Sequence, residues 1–230
     1  SITKKNQQLI VYILVGGLIA AAGIFGYGEL YQKPLETKAA DAMYVAEKYF
    51  ANDSSELVLK GDATSKGVLY IIKEFSGTKA ANLAHYYAGM SYYRLKDYNK
   101  AVEYLKDFSS DAKQVQAVAY GSIGDAYSEL KKNDEAIEYY KKAGTHFPED
   151  EAISSEYLFR AASFLELNGK NDAALEIYKQ IKQNYPKSEK DLVLINISPD
   201  FKFNLNLLGT FFKRHSFLKG CLFIFLERNP

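Results

Sequence analysis

Hydrophobic residues near the start of the chain form one long uninterrupted run. No charged residue occurs from Leu9 to Phe25, and the uncharged stretch continues to Gly28. About 20 such residues cross a bilayer as a helix. A cleaved signal peptide is the alternative, but its apolar region is normally only about 7–15 residues long. We therefore predict an uncleaved transmembrane helix over residues 9–28.

Charged residues flank this run unequally. Lys4 and Lys5 precede it and Glu29 follows it. Because basic residues tend to remain in the cytoplasm, we expect residues 1–8 to be a short cytoplasmic tail and the chain after the helix to be exported. The chain begins at Ser1 rather than at Met, so we also expect this tail to be truncated.

Small residues and prolines recur in the remaining chain at a nearly constant interval. The interval is 35 residues for the pairs Gly89 and Gly124, and Ala101 and Ala136; it is 38 residues for Ala136 and Ala174, and for Pro148 and Pro186. A fixed period of this length is typical of a helical repeat protein, and the second step carries a three-residue insertion.

Three segments aligned on this period resemble the tetratricopeptide repeat, a helix–turn–helix unit. The middle copy carries the complete pattern of large, small, aromatic and closing residues: Tyr120, Ile123, Gly124, Tyr127, Ala136, Tyr140, Ala143 and Pro148. The copy before it has His85, Ala88, Gly89, Tyr92, Ala101, Leu105 and Phe108, and the last has Leu158, Ala161, Ala162, Leu165, Ala174, Tyr178, Ile181 and Pro186. The resemblance implies an all-α fold: a tetratricopeptide-repeat solenoid of antiparallel helix pairs, with three repeats over residues 79–190, preceded by one transmembrane helix.

The spacing within the middle copy has a physical explanation. Its apolar residues recur at helical intervals in two runs separated by a polar turn. Gly124 and Ala136 are small, so we expect the two helices to cross closely at these positions. Turn and cap residues recur at the same place in the three copies, where we predict that they cap the second helices: Asp97, then Asn133 with Asp134, then Asn171 with Asp172.

Residues 29–78 lack the repeat pattern but keep helical periodicity. One apolar stripe runs from Ala39 to Phe50 and another from Val68 to Phe75, with the polar stretch 52–66 between them. We predict a divergent helix pair that caps the open end of the array, as terminal repeats commonly do.

The composition changes abruptly after Lys190. Residues 191–230 hold 7 of the 14 Phe residues and no Ala or Tyr, and their apolar clusters form no clean amphipathic stripe. A membrane-contacting or interaction tail, an unusual cap, and a shifted reading frame in an AT-rich gene are the three explanations. The shifted frame is the leading hypothesis, because such frames yield the observed mixture of Phe, Leu, Ile, Asn and Lys.

Composition and motifs restrict the possible functions. The formal net charge of +1 argues against a nucleic-acid binder, which normally carries a basic excess. The sequence contains no P-loop, no Gly-rich dinucleotide motif and no H-E-x-x-H, G-x-S-x-G or C-x-x-C motif. Its three His residues lack metal-ligand spacing. We therefore predict no catalytic residue, no cofactor and no metal site.

The first helix of each repeat is expected to line the concave wall of the solenoid. Carrying over the inward-facing positions of the repeat family predicts a groove for a protein or peptide partner, formed by Tyr86, Met90, Tyr93, Arg94, Asp125, Ser128, Glu129, Phe159, Ser163 and Glu166. This mixture of aromatic, cationic and acidic side chains suits an extended or helical peptide.

An N-terminal anchor followed by a small exported repeat domain resembles the ancillary subunit family of the bacterial Sec translocon. The stretch GTKAANLAHYYAGMSYYRLKDYNKAVEYL is similar to a segment of that family, and the resemblance covers roughly residues 9–190. It implies a single-pass inner-membrane protein with a periplasmic repeat domain that binds translocon subunits or periplasmic chaperones. Two alternatives are a scaffold for envelope or secretion-complex assembly, and a holdase-type chaperone.

Overall fold

The computed structural model describes residues 4–188, with side chains from Tyr12 onward. This part of the chain is helical, and its only pairing of β type is an isolated bridge between Gly61 and Lys66. The elements in chain order are α1 (Lys4–Tyr27), a π-helical segment (Gly28–Gln32), α2 (Lys33–Ala51), α3 (Ser55–Lys60), α4 (Val68–Glu74), α5 (Lys79–Arg94), α6 (Tyr98–Lys106), α7 (Lys113–Glu129), α8 (Asn133–His146), α9 (Glu151–Leu167) and α10 (Asn171–Asn184). The anomalous segment 191–230 lies outside the described residues.

The N-terminal helix is long and exposed. Within the described residues, one helix is long and apolar enough to cross a membrane; it lies in Tyr12–Ala51, and none of its most apolar window, with a mean hydropathy of 1.7, is buried. Leu18 and Ile19 are about as exposed as side chains on an isolated helix. Apolar side chains that the described residues leave uncovered are unfavourable in water, so a lipid or protein surface over this helix would stabilise it.

The segment 33–74 forms a helix pair with a broken second member. The first member, α2, buries Ala39, Met43, Ala46 and Phe50. The second is divided between α3 and α4, so the stretch predicted to be a polar separator contains a helix that buries Val58 and Leu59.

A tight loop explains the break between α3 and α4. Gly61 has φ +79, and a side chain at Gly67 would place its Cβ 2.3 Å from the Leu59 carbonyl oxygen. The Asp62 carboxylate accepts hydrogen bonds from the backbone amides of Thr64 (2.8 Å) and Ser65 (2.7 Å). Only glycine fits the two ends of this loop, which the helical period of the apolar residues does not reveal.

Three antiparallel helix pairs follow: α5 with α6, α7 with α8, and α9 with α10. They cross closely at small residues. A Cβ on Gly124 would lie 2.7 Å from Cδ1 of Tyr140, and a Cβ on Gly89 would lie 2.5 Å from Cγ of Leu105. The predicted close crossing at Gly124 is therefore confirmed.

The turns inside the three pairs share one backbone conformation. Lys96, Lys131 and Gly169 have left-handed φ values of 63°, 60° and 72°. Asp97 caps α6 by accepting a hydrogen bond from the Lys100 amide at 3.3 Å. The predicted caps Asn133 and Asn171 are wrong: they are the first residues of α8 and α10, and the N-cap positions belong to lysines one residue earlier.

Candidate partner-binding site

The ten residues predicted to form the groove all lie on α5, α7 and α9, the first helices of the three pairs. Four of them, Tyr86, Met90, Phe159 and Ser163, are buried. Rings of the same repeat cover two of these four, because Tyr86 lies 5.2 Å from Phe108 and Phe159 lies 5.7 Å from Tyr178 between centroids.

Six predicted residues remain at least partly accessible. Glu129 is exposed, whereas the other five are half-buried: Tyr93, Arg94, Asp125, Ser128 and Glu166. A partner can therefore meet these six without rearrangement, whereas the four buried residues act mainly in packing. We call the six accessible residues the concave wall.

A buried ionic cluster joins the second and third pairs at the centre of this wall. Arg160 on α9 donates from Nη1 to Oδ1 of Asp125 and from Nε to Oε1 of Glu156, both at 2.7 Å. The Tyr140 hydroxyl donates to the same Asp125 oxygen at 2.8 Å. The three charged side chains are only 16–19% exposed, so their mutual attraction is little screened by water.

The cluster fixes the protonation of its members. Burial disfavours the charge on Arg160, but the adjacent Asp125 and Glu156 carboxylates outweigh it and raise the pKa of Arg160. Burial, with a further contribution from Asp125, raises the pKa of Tyr140. Arg160 therefore stays charged and the Tyr140 hydroxyl keeps its proton at neutral pH.

Aromatic side chains border the cluster on the side of the first pair. Tyr93 contacts Tyr98 edge to face, with centroids 5.4 Å apart. Burial raises the pKa of Tyr93, and the carboxylates of Asp125 and Glu129 raise it further. This corner of the wall therefore presents neutral phenols beside carboxylates.

The far end of the wall carries a third acidic group. Glu166 accepts a hydrogen bond from the Tyr178 hydroxyl at 3.2 Å. Burial raises the pKa of Glu166, and the hydrogen bond from Tyr178 opposes that shift. The near end is different, because Arg94 donates to the Phe50 carbonyl oxygen at 3.1 Å and stacks 3.9 Å from the Phe50 ring centroid. Arg94 thus joins α5 to α2 in addition to lying on the wall.

Residues 83–112, 117–143 and 156–188 match models of the tetratricopeptide repeat. The three predicted repeats are confirmed. Tetratricopeptide repeats bind proteins, so the chain carries a protein-interaction module. A comparison with curated proteins returns no match. The resemblance to translocon subunits therefore stays a prediction.

The tetratricopeptide pattern did not reveal the residues that organise the wall. Arg160, Glu156 and Tyr98 are not signature positions, and Tyr140 was identified only as a packing residue. One signal was available: Asp125 and Arg160 are opposite charges on successive first helices, 35 residues apart, where the step between these two repeats is 38 residues. Opposite charges about one period apart on successive first helices can pair across the stack.

A polar concavity of about 660 Å³ lies away from the concave wall, between the first and second tetratricopeptide repeats. Asn82 shapes it by donating to the Ser109 carbonyl oxygen at 2.7 Å and accepting from the Ser109 amide at 3.0 Å. His85 also lines it. Its Nδ1 faces Oδ2 of Asp107 at 3.9 Å and has no hydrogen-bond partner among the described residues. Burial lowers the pKa of His85, and Asp107 partly offsets that effect.

Proposed function

We propose that this chain is a membrane-anchored protein-interaction module whose concave wall binds a peptide segment of its partner. Residues 9–28 would hold it in the inner membrane with the N-terminus in the cytoplasm and the repeats in the periplasm. The resemblance to the ancillary translocon subunits supports a role in protein translocation or in a periplasmic chaperone network.

The observation that carries the proposal is the combination of rings and carboxylates on an accessible, rigid wall. Tyr93 provides an aromatic contact, while Glu129 is exposed and Asp125 is held in place by Arg160. Aromatic anchors supply much of the energy of a protein interface, and accessible carboxylates select a partner of opposite charge. The wall therefore suits a peptide with apolar and basic side chains.

The exposed apolar helix supports the anchoring part of the proposal. It is long enough to cross a bilayer, and the described residues bury none of its most apolar window. Membrane insertion removes that apolar surface from water, which is the favourable step for such a helix. Carbonate extraction of membranes from cells expressing the full chain tests this directly, because an inserted protein stays in the pellet.

Photocrosslinking in cells tests the partner. A benzophenone amino acid replaces Tyr93 or Glu129, and a third variant carries it at Glu138, an exposed residue of α8 outside the wall. Translocon subunits or periplasmic chaperones captured from the first two positions and not from Glu138 would support the proposal. Capture of envelope-assembly proteins would instead favour the scaffold, capture of many unfolded clients would favour the holdase, and no capture from either position would refute the groove.

A further inference from the structure

The apolar N-terminal helix and the repeat array are joined without a break. Tyr27, Gln32 and Lys33 all have right-handed helical backbone angles, so the π-helical segment connects α1 to α2 as one rod. At 1.5 Å per residue, the rise from Gly28 to Glu36 is about 12 Å. The helical backbone is therefore continuous from α1 into α2, so α2 leads away from the end of the apolar helix and orients the first packed layer of the array.

Contacts at both ends show that α2 and α5 are parallel. At their beginnings, the Glu36 carboxylate accepts hydrogen bonds from the backbone amides of Lys79 (2.9 Å) and Ala80 (3.1 Å). At their ends, Arg94 binds the Phe50 carbonyl oxygen (3.1 Å). Because beginning meets beginning and end meets end, α5 runs away from the apolar helix in the same direction as α2.

The same direction continues through the later repeats. Asn82, near the start of α5, binds Ser109 in the loop that leads into α7. Two contacts between the second and third repeats advance together towards the ends of α7 and α9. Asp125 of α7 binds Arg160 of α9 at 2.7 Å, and beyond the ends of these helices Asn133, the first residue of α8, binds Asn168 at 3.0 Å. All first helices therefore begin at one edge of the array and end at the opposite edge.

The array therefore has two opposite edges. The loop edge consists of the segments that precede the first helices, residues 75–79, 107–112 and 147–150. The turn edge consists of the turns that follow them, residues 95–97, 130–132 and 168–170. The polar concavity lined by Ser76, Asn82 and His85 opens at the loop edge.

We propose that the loop edge faces the lipid headgroup layer, so that the repeats stack parallel to the plane of the membrane and the turn edge points away from it. This inference rests on the proposed anchoring of the chain. Tyr27 and Tyr31 stack with centroids 5.3 Å apart and are exposed, as expected for aromatic residues at the membrane interface.

Distances place the first two loops at the outer limit of the headgroup layer. A headgroup layer extends about 5–8 Å beyond the hydrocarbon core, and the start of α5 lies level with Glu36, about 12 Å along the rod. A typical tilt of about 20° brings one side of the array closer. Because each repeat rotates slightly relative to the one before, the loop 147–150 is expected to lie farther from the bilayer than the segments 75–79 and 107–112.

The chemistry of the loop edge indicates how it would meet lipid. Lys79 shares the loop edge with Asp107, Asp111, Glu149 and Asp150, so the edge is net acidic, and the concavity is lined mainly by polar side chains. Such a surface suits hydrated headgroups and not acyl chains. The continuous helix, and not attraction to anionic lipid, sets the contact, so the contact is expected to form in neutral vesicles.

Lipid-headgroup quenching tests the orientation in the full chain. Single cysteines are placed in a Cys221→Ser background as two matched pairs: Ser76→Cys with Lys96→Cys at the two ends of α5, and Asp111→Cys with Lys131→Cys at the two ends of α7. The four variants carry a small fluorophore in phosphatidylcholine vesicles that contain a lipid with a nitroxide headgroup. The members of each pair are about 25 Å apart along one helix, so we expect quenching about threefold or more stronger at positions 76 and 111.

A break in the rod provides the second measurement. Insertion of Gly-Gly-Ser-Gly between Gln32 and Lys33 should abolish the difference within each pair, because the array would then rotate freely relative to the bilayer. Survival of the difference after insertion would refute the rod as its cause.

The remaining outcomes separate the two proposals. Equal quenching within each pair of the uninterrupted chain overturns the orientation. If quenching in vesicles is equal and positions 76 and 111 are protected only in native membranes, the orientation is likewise overturned, and the loop edge is assigned to a protein. Failure of the chain to float with vesicles after carbonate washing would instead refute the anchoring.

Discussion

The ion pair between Arg160 and Asp125 should contribute more to stability than any surface pair in the array. Replacement of Arg160 by Met keeps an unbranched side chain of similar length but leaves the Asp125 and Glu156 carboxylates facing each other in a mostly buried site. Asp125 would keep the Tyr140 hydroxyl as a donor to its Oδ1 atom. An uncompensated buried charge is costly because water cannot solvate it fully.

The expected loss of stability in Arg160→Met follows from the burial of the ionic cluster. Removing one partner of a fully buried pair costs about 3–5 kcal/mol. Side chains that are 16–19% exposed admit some water. We therefore expect Arg160→Met to lower the free energy of unfolding by about 2–3 kcal/mol, which for a domain of roughly 150 residues lowers Tm by about 5–10 °C.

Lys170→Met is the matched control. Lys170 pairs with Asp134 at the same 2.7 Å and also joins the second and third repeats, but these side chains are 52% and 78% exposed. An exposed pair contributes little, so we expect a change below about 0.5 kcal/mol. Urea unfolding of the full chain in mild detergent, followed by far-UV circular dichroism, measures both variants.

A double-mutant cycle with Asp125→Asn isolates the pair itself. We expect a coupling energy of about 1 kcal/mol or more between Asp125 and Arg160. Additive single effects would refute the reasoning, as would an Arg160→Met variant that loses no more stability than Lys170→Met.

The left-handed turn residues and the His85–Asp107 pair give two further predictions. The φ values of 60° at Lys131 and 72° at Gly169 are left-handed. Lys131→Gly should therefore stabilise the chain by about 0.5–1 kcal/mol, and Gly169→Ala should destabilise it by about 1 kcal/mol. Urea unfolding measures both changes, and changes of the same sign would contradict the argument from backbone strain. Burial lowers the pKa of His85 and Asp107 partly offsets this, so the stability contributed by neutral His85 is present above the ordinary His pKa and is lost as pH falls through the folded value. Asp107→Asn should lower the pKa of His85 further, as followed by NMR titration of its ring, and an unchanged pKa would show that the 3.9 Å pair carries no interaction.

The repeats could be predicted because their signature records local packing. Gly124 and Tyr140 lie in one helix pair, and the small residue is required wherever that pair crosses. The same periodicity predicted the stripe of α2, where Ala39, Met43 and Phe50 are buried. In each case the residues that make contact are close in sequence or separated by one turn, so their spacing reflects the structure directly.

The organisation of the wall depends on contacts between repeats, which the signature does not encode. The repeat pattern assigns Tyr86 and Phe159 to the groove by position alone, yet both are buried against rings of their second helices or the following loop. The pairing of Asp125 with Arg160 needs the register of α7 against α9. The helix α3 was missed because its buried residues, Val58 and Leu59, occupy too short a stretch to show a period.

The rod gives the two proposed surfaces a fixed relation to each other. The concave wall is formed by the sides of α5, α7 and α9, whereas the loop edge is formed by the segments that lead into those helices. If the loop edge faces the bilayer, the first helices stand roughly along the membrane normal and the wall opens sideways, parallel to the membrane. A peptide bound across the three helices would then also run parallel to the membrane, near enough to reach from a partner that is itself anchored there. The Glu36 link to the start of α5 and the Arg94 link to the end of α2 hold this geometry, because they prevent the first repeat from pivoting on the rod.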